Sequence, residues 1–320
     1  MNRPDIANIT SKAHRLFAAG KRGGRLKPGT CNRFTKTIMV GDMASQWSAS
    51  TNINLLRRVS DTAAAWADLV EGMSKSWMWS AMAMQDIKMR YRGSLLGPFW
   101  LTISMAIMIA AMGLIYARLF KMEINQYLPF LTVGLVVWNF VSTVIIEGCE
   151  TFLSAHNIIT QVRLPFSLHA WRTVYRNLIV LAHNMVIVPL VLIIFSVPVG
   201  WTVVFVIPAL VILTINGIWV SILLGMISAR YRDVPPIVMS FVQVIFFITP
   251  IFWPPEALGI WMQALPLNPL FAAVDVVRAP LLGSKPLDYS WTVLLIVTVA
   301  GSVGTFSLFA KFRPRIAYWI

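Results

Sequence analysis

From Thr62 to Arg92 the apolar residues Trp66, Leu69, Val70, Met73, Trp77, Met84, Ile87 and Tyr91 recur at intervals of three and four, with Asp68, Glu71, Lys75, Gln85, Lys88 and Arg92 opposite them. This periodicity predicts an amphipathic helix with a break at Gly72. Tryptophan and methionine on one face and basic residues on the other suit a helix lying in a membrane interface, just ahead of a first span; a soluble helix capping a small domain is the other reading. Beyond Arg92 the three-four rhythm gives way to long apolar runs. They cover roughly 99–119, 128–149, 174–196, 202–228, 236–253 and 290–310, each near the ~20 residues a helix needs to cross the hydrocarbon core.

The stretch between the fifth and sixth runs is apolar but broken by Pro254, Pro255, Pro266, Pro269 and Pro280. The pieces between these prolines are about half of a spanning length. They are expected to dip into the membrane and return, because irregular backbone is tolerated at that depth only where protein or a water path covers it. A loop lying on the bilayer surface is the alternative. Reading 260–282 as a seventh span would bury Asp275 and Arg278 and carry the Lys311, Arg313 and Arg315 cluster to the opposite side, so it is rejected. The expected fold is therefore an all-α membrane protein with six transmembrane helices, an amphipathic amino-terminal interface helix, and a re-entrant helical hairpin between spans five and six.

Composition agrees with that class: 57% of the 320 residues are hydrophobic and only 12% charged, far from a soluble domain. The net charge of +14 would suggest nucleic acid in a soluble protein, but here the bases sit at the ends of apolar runs, and no nucleic-acid partner is expected. With the amino terminus inside, inner connections carry Arg163, Arg172, Arg176, Arg230, Arg232, Lys311, Arg313 and Arg315. The outer ones carry Arg118, Lys121, Arg278 and Lys285, offset by Glu123, Glu256, Asp275 and Asp288. Both termini are thus expected in the cytoplasm. Residues 1–60 are polar, basic and glycine-rich, a composition that cannot build a packed core and reads either as a disordered arm on anionic lipid or as a start assigned too far upstream, with Met43 the true beginning. Residues 61–98 are assigned to the interface helix and 99–320 to the six-span domain. Cys31 and Cys149 are far apart and show no metal-ligand spacing, so neither a disulfide nor a metal site is expected.

Several residues could carry function. The inner connection 154–165 is long enough for a short helix ending at Pro165, with Ile158, Ile159 and Val162 on one side and Gln161 and Arg163 on the other. Such a helix is either a knob for a soluble partner's groove or a plain connector. Glu147 and Glu150 close the second span and Arg172 and Arg176 open the third on the same side, as structural pairs or as a contact for the diphosphate of a lipid-linked glycan. His183 and Asn184 fall mid-span and read as packed polar contacts between helices. Thirteen Trp and eighteen Phe permit an aromatic channel lining, with Trp100, Tyr116, Trp138 and Phe140 as candidates, or an ordinary interfacial belt, the reading given to Trp201, Trp291 and Trp319. Asp275 and Arg278, three apart, are placed to pair with each other or across a dimer. No G-x-x-x-x-G-K-[ST] occurs, so the chain cannot cradle ATP phosphates by that route.

The segments Arg90-Tyr-Arg-Gly-Ser-Leu-Leu-Gly-Pro-Phe-Trp100, His156-Asn-Ile-Ile-Thr-Gln-Val-Arg-Leu-Pro165, Ala229-Arg-Tyr-Arg-Asp233, Thr249-Pro-Ile-Phe-Trp253 and Leu267-Asn-Pro-Leu270 carry a resemblance. In this order they are similar to the permease subunits of ABC-2 type polysaccharide and polyol-phosphate exporters, which serve O-antigen, capsular polysaccharide and teichoic acid export. The likeness runs from about Trp77 to the carboxyl end and has no counterpart for the first 60 residues. It implies a homodimer in the bacterial inner membrane, driven by two copies of a separate cytosolic ABC ATPase that binds ATP and Mg, with no cofactor in this chain. It implies a coupling helix at His156, Asn157, Ile158, Ile159, Gln161 and Arg163, and an outer gate at Phe252, Trp253, Glu256, Asp275 and Arg278. The substrate would be a lipid-linked or growing polysaccharide. Two other classes remain: a membrane glycosyltransferase acting on polyprenyl-linked sugar, which would want a D-x-D that is absent, and a secondary carrier, which would want the broken element in both halves of the chain.

Overall fold

A computed structural model describes residues 61–320 apart from 95, 96, 98 and 288; the expectations for residues 1–60, Cys31 included, lie outside the described residues. Every regular element among the described residues is helical. Two helices come first, α1 over 61–74 and α2 over Ser76–Arg90. Lys75, at φ −81° and ψ 43°, separates them. The break therefore falls three residues after the glycine expected to make it.

Five further helices follow: α3 (Phe99–Leu119), α4 (Ile124–Cys149), the short α5 (His156–Gln161), then α6 (Phe166–Met185) and α7 (Ile187–Ile194). Val186 between α6 and α7 keeps helical angles, so Phe166–Ile194 is one apolar stretch of 29 residues. A 3-10 turn at Trp201–Phe205 leads into α8 (Val206–Arg230), followed by α9 (Val234–Ile248), a 3-10 segment at Pro255–Leu267, α10 (Pro269–Leu281) and α11 (Ser290–Trp319). Five stretches are long and apolar enough to cross a membrane: α3, α4, α6 with α7, the 3-10 turn with α8, and α11. The sixth expected run, α9, has 15 helical residues.

At the centre lies α4, 61% buried along its apolar stretch against 11% for α3. It packs on α3, α6, α8, α9 and α10, and Leu131, Val136, Val137 and Val144 belong to one core with Val174, Leu213, Val274 and Val277. The outer faces of α3, α9 and α11 stay apolar and exposed, with Ile107, Ile115, Phe241, Phe247, Ile296 and Val299 uncovered. Apolar surface of that extent is stable only where something other than water covers it.

α1 inverts the usual amphipathic arrangement. Its protein-facing side is small and polar: Ala65, Asp68 and Gly72 are buried, whereas Trp66, Val70 and Met73, and Trp77 at the start of α2, are exposed. The reason lies in Asp68, expected on the solvent face. Its carboxylate accepts hydrogen bonds from the backbone N–H groups of Phe166 (3.2 Å) and Ser167 (3.0 Å) at the start of α6, and from Arg313 Nε of α11 at 2.8 Å. The Ser167 hydroxyl donates to the Asp68 carbonyl at 2.7 Å. Helix N-termini present free donors and positive potential, so one aspartate fastens α1 to two spans.

Candidate functional site

The chain forms two polar constructions at opposite ends of the bundle. The first surrounds the junction of α2, α4 and α6, next to α5. Arg172 on α6 donates through Nε to Asp86 of α2 at 2.7 Å, and Arg176 Nη1 donates to the same carboxylate at 2.8 Å. Arg176 Nη2 reaches Glu147 at the end of α4 at 2.7 Å, which also accepts from Asn177 Nδ2 (2.8 Å) and from Arg90 Nη2 (2.9 Å). Three guanidiniums and two carboxylates thus interlock, one net positive charge over all. Trp79 of α2 closes the joint by stacking on Trp171 at 5.6 Å and meeting Tyr175 edge-on at 5.0 Å.

Burial alone would push the Asp86 carboxyl up, but hydrogen bonds and charge from Arg172 and Arg176 outweigh it and hold the group below its ordinary value. Of the two acids expected opposite Arg172 and Arg176, Glu147 is engaged; Glu150 forms no ion pair among the described residues. Both arginines, considered for a diphosphate, are committed to carboxylates. Asp86 was missed by sequence reasoning. Its signal was that it is the lone acid between Glu71 and Glu123, in a stretch otherwise basic.

α5 projects beside this network with no fully buried residue. His156, Asn157, Gln161 and Arg163 are exposed, Ile158 is half-buried, and Ile159 packs against the small core of Ala65, Phe152 and Ala170. The side expected to be its apolar knob is therefore divided: Ile159 anchors the helix to its own subunit, and Val162 is half exposed at 51%.

The second construction lies at the other end, around α10. The Asn268 side chain caps this helix, accepting from Leu270 N–H at 3.0 Å and Phe271 N–H at 3.4 Å, and donates to Thr249 Oγ1 at 3.1 Å. Further along, Asp275 Oδ2 accepts from Leu287 N–H (2.8 Å) and Ser290 Oγ (2.7 Å), holding the turn into α11. Arg278 Nη1 donates to the Pro250 carbonyl at 2.9 Å, and its guanidinium lies 4.1 Å from the Phe130 ring centre. Both residues are buried, and no ion pair joins them. The pairing of Asp275 with Arg278 expected from their spacing is thereby corrected: each finds a nearer backbone partner on a different element.

Gly134 on α4 permits the close approach of Ile251. A Cβ there would meet the Ile251 carbonyl oxygen at 2.9 Å and Arg278 Nη1 at 3.5 Å. The Tyr127 hydroxyl donates to the Phe252 carbonyl, and Trp253 Nε1 to the Phe247 carbonyl at 3.0 Å. Of the remaining expected gate residues, Phe252 and Trp253 are half-buried and Glu256 is exposed.

The four aromatic candidates separate into three settings. Tyr116 and Trp138 join a run of rings that includes Phe252: Phe120 to Tyr116 at 5.9 Å, Tyr116 to Phe252 at 5.4 Å, Phe252 to Phe246 at 5.3 Å and Phe246 to Trp138 at 5.7 Å. Phe140 faces the opposite side of α4 and helps line a partly open apolar cavity of ≈ 180 Å³, with Val144, Asn216, Leu270 and Leu294. Trp100 stands apart, 53% exposed on α3.

Residues 78–282 match the family of ABC-2 type transporters, and the chain belongs to that family. The matched region runs from α2 through α10; it takes in the first construction and all of the second except Leu287 and Ser290. Within the family, the chain is similar to the O-antigen export system permease protein RfbA of Myxococcus xanthus, 28% identical over 182 residues that make up 54% of this chain and 67% of that protein. It is also similar to the O-antigen export system permease protein RfbA of Klebsiella pneumoniae, 24% identical over 243 residues covering 73% of this chain and 91% of the relative. This chain is thus a membrane permease of the ABC-2 type, with helices to match.

Proposed function

We propose that the chain is the transmembrane subunit of an ATP-driven exporter that moves a lipid-linked or growing polysaccharide, of O-antigen or capsule type, across the bacterial inner membrane. The similarity to two O-antigen export permeases supports the substrate class. The working unit is a homodimer with two copies of a cytosolic ABC ATPase, which binds ATP and Mg; this chain carries no cofactor and performs no covalent chemistry. The apolar outer faces of α3 and α9 offer surface for the second subunit and the lipid.

α9 serves as the fifth of six spans. Its 15 residues rise about 22 Å, short of the ~30 Å hydrocarbon core, and the remaining depth is filled by the Thr249–Trp253 turn and the re-entrant pair formed by Pro255–Leu267 and α10. The ring series from Trp138 to Phe252 leads toward that pair and provides flat apolar faces for the C–H sides of sugars. α1 and α2 lie in the cytoplasmic interface with Trp66, Val70, Met73 and Trp77 in lipid. Both termini are cytoplasmic, as the positive connections require.

The observation that carries the reading is α5: an exposed helix between two core spans, anchored through Ile159 on the core of Ala65, Phe152 and Ala170 that joins the interface helix to α6. Such a helix transmits motion from a soluble partner into the spans. The test is export itself. Deleting the chain should remove surface polysaccharide and leave lipid-linked glycan on the cytosolic face; restoring it should require the chain together with an ATPase whose phosphate-binding lysine is intact. Export restored by the chain with a dead ATPase would refute the proposal.

A further inference from the structure

The arginines at the α5 end of the bundle are unequally occupied. Arg90, Arg172 and Arg176 are held by Asp86 and Glu147, and Arg313 by Asp68. Arg230, at the end of α8, and Arg315, near the end of α11, have no carboxylate within 4.0 Å among the described residues. Both are exposed, and both line one groove of ≈ 310 Å³ between α8 and α11. Phe312 and Trp319, 5.7 Å apart, form an aromatic wall beside them.

The groove is graded along its length. Ile227 and Leu223 lie three and seven residues before Arg230 on α8, about 4.5 and 10 Å further toward the middle of the bundle, and Leu308 precedes Arg315 by seven residues on α11. Each helix therefore offers a guanidinium in its last turns and apolar surface inward of it, aliphatic on α8 at Ile227 and Leu223, and on α11 aromatic at Phe312 and then aliphatic at Leu308. A ligand that fits both must be anionic at one end and hydrocarbon at the other.

We propose that this groove binds the headgroup phosphate of an anionic phospholipid, with an acyl chain lying along Leu223, Ile227 and Leu308. Guanidiniums chelate phosphate oxygens in a planar fork, and basic pockets between helices at the cytosolic boundary suit acidic headgroups. Rings at the same level match the interfacial zone. The assignment rests on the reading that α8 and α11 cross a bilayer with these ends at the cytosolic face, but not on the transported substrate or the ATPase.

The test is native mass spectrometry of the full chain in detergent, titrated with phosphatidylglycerol or phosphatidylcholine. Wild type should retain phosphatidylglycerol about ten-fold better than phosphatidylcholine. The Arg230→Gln, Arg315→Gln double variant should lose that preference to within about two-fold. Ile227→Trp, which fills the trough and leaves both charges, should lower retention of either lipid; Arg118→Gln, at the far end of α3, should change nothing. Undiminished preference in the double variant, or no preference in wild type, overturns the proposal. Displacement of phosphatidylglycerol by an equimolar polyprenyl diphosphate would overturn it too, by assigning the groove to a transported lipid. The readout needs neither ATPase nor glycan, so its failure would leave the export reading intact.

Discussion

Asp275 and Arg278 stand three residues apart on α10 and grip different neighbours: the carboxylate holds the turn into α11, and the guanidinium holds the end of α9 through the Pro250 carbonyl. The Leu287 N–H can only donate and the Pro250 carbonyl can only accept, so the polarity of these two backbone partners is fixed, whereas the Ser290 hydroxyl can adapt. Asp275→Ala would leave the Leu287 N–H and the Ser290 hydroxyl without an acceptor, at a cost of about 1–3 kcal/mol. Asp275→Asn, whose amide oxygen can still accept one of these bonds, should recover part of it. The charge swap Asp275→Arg with Arg278→Asp should be worse than either single change, because it aims a cation at donors and an anion at a carbonyl. Thermal unfolding in detergent checks the order, and a swap more stable than Asp275→Ala would show that the two side chains act on each other after all.

Gly72 tests how α1 is held. A Cβ at this position would fall 2.1 Å from Ser167 Oγ and 3.0 Å from Leu168 N. Ser167 cannot turn away without giving up its bond to the Asp68 carbonyl. Gly72→Ala should therefore destabilise the α1–α6 joint by about 1–3 kcal/mol, as an overpacked contact does. The same change at exposed Ser74 should have no effect. Limited proteolysis near Lys75 offers a direct measure: faster cleavage is expected for Gly72→Ala alone.

The contrast between these residues explains what the sequence made legible. Membrane-length helices could be read from hydropathy because burial in hydrocarbon acts on whole runs of residues. Prolines marked the segment that became the 3-10 turn and α10 for a similar reason, since each acts on its own backbone. The role of Asp68 was hidden because its partners, Ser167 and Arg313, lie 99 and 245 residues away, and periodicity assigns it to the polar face without saying that protein covers that face. Gly72 was assigned the break through its propensity, while tertiary contact with Ser167 uses it as a place of close approach. Asp275 and Arg278 show the same limit: spacing on a helix states which residues can meet, and competing partners decide which do.

The network around Asp86 gives a pH dependence with a defined sign. Its folded-state value lies below the ordinary 3.8, so its stabilising contribution is complete above the unfolded value and is lost as pH falls through the folded one. Wild type and Asp86→Asn should differ by a constant amount from pH 5 to 8, about 2 kcal/mol for a pair shielded but not fully buried. The difference should shrink below about pH 4. Melting temperatures of the two proteins across that range would settle it; a gap that widens on acidification would exclude Asp86 as the charged member.

Topology is open to chemical labelling. Ser154 and Lys285 are exposed at opposite ends of the bundle, whereas Ser167 is fully buried and would be a misleading probe. A cysteine at Lys285 should react with an impermeant maleimide added outside intact spheroplasts, and one at Ser154 only after permeabilisation. Equal reaction at both positions from outside would end the assignment of α5 to the cytoplasm.

Ile159 of α5 and the exposed residues that follow it should separate folding from coupling. Ile159 packs into the core formed by Ala65, Phe152 and Ala170, so Ile159→Asp would leave a carboxylate in apolar surroundings and lower stability by several kcal/mol. A loss of export in that variant would say nothing about a partner. Gln161, Val162 and Arg163 are exposed, and their replacement should leave the melting temperature unchanged. If α5 seats in an ATPase, Val162→Asp with Arg163→Glu should reduce ATPase co-purification about ten-fold or more, since a desolvated apolar contact and a charge are both reversed. Pull-down with the ATPase, alongside unfolding of the isolated subunit, measures the two effects independently. Retained co-purification and full export in the double variant would make α5 a connector, and motion would have to enter the spans through α1 and α2 instead.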